Sequence, residues 1–229
     1  EPEPGFVISG SLQIEEAHQR SPKSTTYRGF SRNLLVGPNC GNRAKLRHGH
    51  RTKRHFLVMR LLLFDVDGTL LRANGGGKTA IEQAVSSVTG QTASTGGVSF
   101  SGRTDPAILR DVLRANGLPT NENLLDRVLR AYTDAAQETI HPANVDRLPG
   151  TETVLSKLTR RSDVFLGLVT GNVEPIAYHK LQTVDLAQHF SVGAFGSDHA
   201  ERSRLPTLAA DRAAETAGRP FPLDQTVVI

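Results

Sequence analysis

The sequence predicts an α/β protein, a parallel Rossmann-like sheet core with a small helical cap domain inserted into it. Three observations carry that prediction. Two unbroken apolar runs, Leu61–Phe64 and Val164–Val169, each give way to polar and glycine residues, as buried strands of a parallel sheet do. Between them apolar residues recur three times at helical spacing, which predicts three amphipathic helices in the interval. Beyond them, Val192–Phe195 and Thr226–Ile229 read as further short strands.

The stretch Leu61-Leu62-Leu63-Phe64-Asp65-Val66-Asp67-Gly68-Thr69-Leu70-Leu71 organises the rest. Ligands of open α/β sheets bind just beyond the carboxyl ends of the strands, so Asp65 stands where the buried strand surfaces and Gly68 lets the chain turn away. Residues i and i+2 of an extended segment point the same way, so Asp65 and Asp67 face one site if that geometry persists. Two carboxylates in one pocket can divide nucleophile and general-acid roles, or share a divalent cation. Alone, the pair also reads as an ordinary Asp-Gly turn. The whole string Phe-Asp-Val-Asp-Gly-Thr-Leu behind a Leu-rich strand resembles the first motif of the haloacid dehalogenase superfamily, mostly phosphatases with an aspartate nucleophile.

Composition sets the bounds. At 229 residues the chain suits one domain with an insertion, or two small ones, and 38% apolar residues suffice for a core. No apolar run approaches the roughly 20 residues that cross a bilayer. Cys40 is the only cysteine, which excludes an internal disulfide framework and a cysteine-rich zinc site and points to a cytoplasmic protein. The net charge of +4 is unevenly placed: residues 1–58 hold 10 Lys+Arg against 4 Asp+Glu, leaving 17 against 19 in residues 59–229. The part predicted to fold is therefore mildly acidic, and its charge gives no argument for nucleic-acid binding.

Residues 1–58 lack periodicity, carry a basic cluster from Arg43 to Arg54, and have a composition that predicts disorder. Four readings stand for them: a nucleic-acid-binding arm, an organelle-targeting segment, an unrelated natural extension, or translated sequence upstream of a start at Met59, the only methionine. The last is preferred.

Arg72-Ala73-Asn74-Gly75-Gly76-Gly77-Lys78-Thr79 nearly matches a phosphate-binding P-loop, but Arg72 stands where the first glycine is needed, so a flexible hinge into a helix is expected. The first helical stripe is Ile81, Ala84, Val85 and Val88. Pro106 opens the second helix, Ile108, Leu109, Val112 and Leu113 line it, and Gly117 stops it. The third carries Leu124, Leu125, Val128, Leu129 and Tyr132. Before the second helix lies the polar loop Ser101-Gly102-Arg103-Thr104-Asp105. Thr104 or Asp105 suits a helix cap, the reading preferred for Asp105, while Arg103 is either a surface residue or a guanidinium reaching a substrate anion.

Leu148-Pro149-Gly150 marks the return, followed by a helix over about Thr151–Arg160. The strand at Val164–Val169 ends in Thr170-Gly171-Asn172, where the Thr170 hydroxyl and the N–H groups of Gly171 and Asn172 suit a phosphate; the plainer reading is a strand-to-helix turn capped by Asn172. Asp198 and His199 follow the third strand as loop residues, His199 expected in solvent. Arg202-Ser203-Arg204-Leu205-Pro206 then leads into a helix through Leu208, Ala209, Arg212 and Ala213.

The resemblance covers residues 59–229 and implies a core of 59–74 and 149–229 around a cap of 75–148. It implies Asp65 as nucleophile, Asp67 as general acid and base, Thr170 as phosphoryl-binding residue, and Arg204 in place of the family's usual lysine. Arg103, Thr104, Gly171 and Asn172 would bind substrate. Mg²⁺ would be held by Asp65 and Asp67 with an acidic residue of the family's fourth motif, which would follow Ile229 and is not in the chain. An inactive fragment is therefore one rival expectation, and nucleic-acid binding through residues 1–58 another. Asp67 favours phosphatase over dehalogenase, because a departing halide takes no proton. The cap implies a small phosphorylated metabolite as substrate, with phosphoglycolate the family-level expectation.

Overall fold

The computed structural model describes residues 59–229, so the basic segment and its nucleic-acid and targeting readings lie outside the described residues. Strand β1 (Arg60–Phe64) lies inside a four-stranded parallel sheet with β4 (Val164–Val169), β5 (Gly193–Ala194) and β6 (Thr226–Val228), in the order β5-β4-β1-β6. Leu62 stands opposite Leu166 on one side and Val227 on the other. The edges of β1 are paired on both sides and helices cover both faces of the sheet, hence its continuous apolar run. Leu61 and Leu63 are fully buried and pack with Leu205, Ala209 and Ala213 of α6 (Leu205–Ala217). Phe64 points the other way, into a cluster with Leu155 of α4 (Thr151–Thr159) and Ile176 and Leu181 of α5 (Glu174–Gln182). The sheet is thus a layer between helices, as the sequence predicts, and the strand ends open onto one edge.

The inserted part holds α1 (Gly76–Thr89), α2 (Asp105–Ala115) and α3 (Glu122–Thr139). Their buried stripes include Ile81 and Val85, Leu109 and Val112, and Val128 and Tyr132, and join the larger core cluster. Two short strands, β2 (Leu71–Ala73) and β3 (Val145–Arg147), pair antiparallel where the chain enters and leaves this cap. At three residues each, they are too short to show alternation in the sequence.

The glycine run departs from the expected hinge. Gly75 precedes the helix at φ 87°, but Gly76, Gly77 and Lys78 are already its first turn. The reason is close packing: a Cβ on Gly76 would lie 2.6 Å from the Thr139 carbonyl oxygen and 3.1 Å from Ile140 Cγ1. The glycine lets α1 start against the end of α3. Among the described residues no helix is long and apolar enough to cross a membrane.

Neighbouring glycines should therefore respond oppositely to the same change. Gly76→Ala should lower stability by about 1–3 kcal/mol, the usual range for overpacking. Gly77→Ala, whose Cβ would find only the Tyr132 hydroxyl at 4.0 Å, should leave stability unchanged or raise it by up to roughly 1 kcal/mol. Urea unfolding of both variants reads the difference.

Candidate active site

Asp65 is the first residue beyond β1. Its N–H donates to the Ile229 carbonyl at 3.1 Å, so the backbone is still held at the sheet edge. One carboxylate oxygen accepts the Val66 N–H at 2.8 Å, and the other is ion-paired to the Arg202 guanidinium. The chain then folds back sharply: the N–H groups of Leu70 and Leu71 donate to the Val66 carbonyl at 3.0 and 3.2 Å, with Gly68 at φ 82°. Asp67 stands in this turn, its side chain 42% exposed, and Oδ2 accepts from Lys180 Nζ at 2.7 Å.

The neighbouring strand supplies the second part of the floor. Thr170, immediately after β4, is buried, and its hydroxyl oxygen accepts the Asn172 N–H at 3.3 Å. Asn172 does not cap α5, which Val173 precedes instead; its Oδ1 accepts from Lys180 Nζ at 2.9 Å. Lys180 itself projects from α5 beside the buried Ile176, Ala177 and Leu181. Burying an ammonium is costly unless it is paired, and here two oxygen partners receive it.

Above this floor the cap encloses a cavity of about 530 Å³, lined from below by Asp65, Asp67, Thr170, Lys180 and Arg202 and from above by Lys78, Phe100, Arg103 and Tyr132. The cap rests on the core through Arg103–Asp105. The Asp105 N–H donates to the Gly171 carbonyl at 2.7 Å, Asp105 Oδ2 accepts the Val173 N–H at 2.9 Å, and the Thr104 hydroxyl donates to the Ala200 carbonyl at 3.2 Å. The backbones approach so closely that a Cβ on Gly171 would fall 2.0 Å from the Arg103 carbonyl oxygen, and one on Gly196 would fall 2.1 Å from that of Gly171.

Of the residues singled out from the sequence, Asp65, Asp67, Arg103, Thr170, Gly171 and Asn172 line this cavity together. Thr104 and Arg204 do not. Thr104 is buried in the cap-to-core contact. Arg204 is exposed and ion-paired with Glu201 at 2.9 Å. Residues 202–204 form a 3₁₀ turn, in which each residue advances by roughly 120°, so side chains two apart diverge and only Arg202 meets Asp65. The basic residue that meets Asp65 thus lies two positions before the one the sequence pattern suggested. Asp105 does not cap α2: Thr104 holds the cap position, without a side-chain bond to the helix, and Asp105 is the first residue inside, its carboxylate serving the core backbone. Arg103 points its guanidinium at Asp111, 2.6 Å away. Asp198 is bound by Arg212 and the Phe195 N–H, and His199 Nδ1 accepts the Glu201 N–H.

Lys180 was legible in principle. A lysine on an otherwise apolar stripe, at i+4 from Ile176 and beside Leu181, signals a buried cation with a partner.

Asp65 and Asp67 suit a hard cation, since Mg²⁺ is commonly held through one or two carboxylates with water and phosphate oxygens completing its shell. Among the described residues no group of three or more acidic, histidine or cysteine side chains could hold a metal ion.

Residues 62–204 match the family described as haloacid dehalogenase-like hydrolase. No protein of curated function matches the chain. The fold is similar to that of a predicted phosphoglycolate phosphatase from Haemophilus somnus 129PT, at 17% identity and TM-score 0.54 over 76% of this chain and 77% of that one. It is similar to a hydrolase from Pseudomonas syringae, at 18% identity and TM-score 0.54 over 74% and 75%. It is likewise similar to CbbY from Rhodobacter sphaeroides in complex with phosphate, at 18% identity and TM-score 0.55 over 74% and 76%. At these identities the likeness is one of fold.

Burial pushes the Asp105 carboxyl up to about 6, against the pull of the Lys180 ammonium and the Val173 N–H, with the Asp67 charge adding to the rise. The folded protein thus holds this proton more tightly than the unfolded chain does. Ionising Asp105 weakens the fold as pH rises from about 4 to about 6, and the loss is constant above that. Asp105→Asn keeps an oxygen for the Val173 N–H without the charge. Relative to this variant, the wild type should lose on the order of 2–3 kcal/mol between pH 4 and pH 7, read by urea unfolding across that range.

Proposed function

The chain belongs to the haloacid dehalogenase-like hydrolase family, and from that premise we propose that it is a phosphatase acting through an aspartyl-phosphate on Asp65. The observation that carries this reading is the pair Asp65 and Asp67 on one cavity floor, each matched by a cation from a distant part of the chain. In the first step an Asp65 oxygen attacks phosphorus in line with the leaving oxygen. An incoming phosphoryl group competes for the Arg202 guanidinium and so frees the oxygen that Arg202 holds. Asp67 gives its proton to the leaving oxygen, then takes one from the water that cleaves the acyl phosphate. The Thr170 hydroxyl and the adjoining Gly171–Asn172 backbone hold the phosphoryl oxygens. Asp65, by its carboxylate, and Asp67, by its backbone carbonyl, would hold Mg²⁺, which would supply electrostatic relief of the phosphate charge.

The substrate we propose is a small phosphorylated metabolite in the cytoplasm, phosphoglycolate by analogy with the predicted activity of the Haemophilus somnus protein. A partly enclosed cavity of about 530 Å³ favours a small molecule over a polymer. Arg103 at the roof suits a carboxylate, which would exchange with Asp111 for its guanidinium.

Magnesium-dependent phosphate release from a panel of small esters tests the reading. Asp65→Asn should fall to background, and Asp67→Asn should lose roughly 10²–10⁴-fold. Arg202→Ala should lose about 10²–10³-fold, the order seen when one charge-stabilising donor is removed. Arg204→Ala should stay near wild type. Full activity in Asp65→Asn would sink the proposal.

A further inference from the structure

We infer that Lys180 is a positioning residue for Asp67, fixing one carboxylate oxygen so that the other is presented to the leaving group; this rests on the phosphatase reading above. Asp67 lies in a turn, with a half-exposed side chain that nothing in its own segment holds in place. Lys180 comes from the rigid α5 and is 5% exposed. Its Nζ bridges Asp67 Oδ2 at 2.7 Å and Asn172 Oδ1 at 2.9 Å. The Asn172 carbonyl in turn accepts the Gly196 N–H at 2.8 Å, so the ammonium is itself anchored to the core. Two of its three hydrogens have fixed acceptors, and Asp67 Oδ2 is one of them. Oδ1 is then the oxygen left to carry the proton. As the bond from phosphorus to the leaving oxygen breaks, its electron pair goes to that oxygen, which takes the Oδ1 proton, while the bond from Asp65 to phosphorus forms.

A buried lysine that merely balances charge would give a different signature from one that aims the acid. An alkyl phosphate needs a proton on its leaving oxygen, whereas p-nitrophenyl phosphate releases a stable phenolate without one. In the full chain with Mg²⁺, Lys180→Met should slow the first step, transfer of the phosphoryl group to Asp65 read in a single turnover as release of the alcohol, by roughly 10–10²-fold on an alkyl phosphate, part of what general acid catalysis supplies. On p-nitrophenyl phosphate the same step, read as the initial burst of phenolate, should slow by less than about threefold, the small change expected when no proton is needed. Asp67→Asn should show the same split with a larger alkyl loss. Asn172→Ala, which keeps the lysine but loosens its anchor, should show it in weaker form and serves if Lys180→Met does not fold. Equal losses on both esters in a folded variant would overturn the positioning role and leave the phosphatase reading standing. Activity surviving in Asp65→Asn would overturn the phosphatase reading, and this inference with it.

Discussion

Asp65 and Asp67 leave the end of β1 two residues apart, and two carboxylates this close in a partly enclosed cavity repel each other unless cations stand with them. Lys180 and Arg202 supply those cations from α5 and from the turn before α6. Much of the surrounding structure serves that balance. The helix α5 must pack on the sheet for Lys180 to reach Asp67, and the turn at residues 202–204 must present Arg202 rather than Arg204. Asp105 adds a third carboxyl group from the cap, and burial first of all, with the Asp67 charge adding to it, holds its proton more firmly.

The cap is seated by backbone as much as by side chains. Gly171 and Gly196 have no Cβ at the points where one would collide with a neighbouring carbonyl, so the cap segment Arg103–Asp105 lies directly on the strand ends. The loop that forms the cavity roof is thus registered against the residues that bind phosphate in the proposed reaction. Phe100 and Arg103 face the cavity because Thr104 and Asp105 are tied down behind them.

The four strands of the parallel sheet, the three cap helices and the β1 carboxylates were legible because each follows from a local period or a continuous run. Leu61–Phe64 is apolar on both faces, and Ile81, Ala84 and Val85 recur at helical spacing. What escaped depends on contacts between distant segments. Asp67 and Lys180 are 113 positions apart, and Asp65 and Arg202 are 137 apart. The choice between Arg202 and Arg204 turns on the pitch of one short 3₁₀ turn. Gly76 read as flexible because sequence shows a glycine's freedom but not the Thr139 carbonyl that requires it.

The ribbon of β2 and β3 brings the two ends of the inserted segment to adjacent rungs of one ladder, Leu71 opposite Arg147 and Ala73 opposite Val145. From the core's side, the cap is a branch on a stalk that is seated again at Arg103–Asp105, and the parts away from that seat have room to vary in length. Lengthening an already closed loop adds little entropy, roughly 0.6 kcal/mol per doubling. The same stalk could therefore carry a lid of another size, and substrate range could change by exchange of a module while the proposed phosphoryl-transfer chemistry stayed at the strand ends.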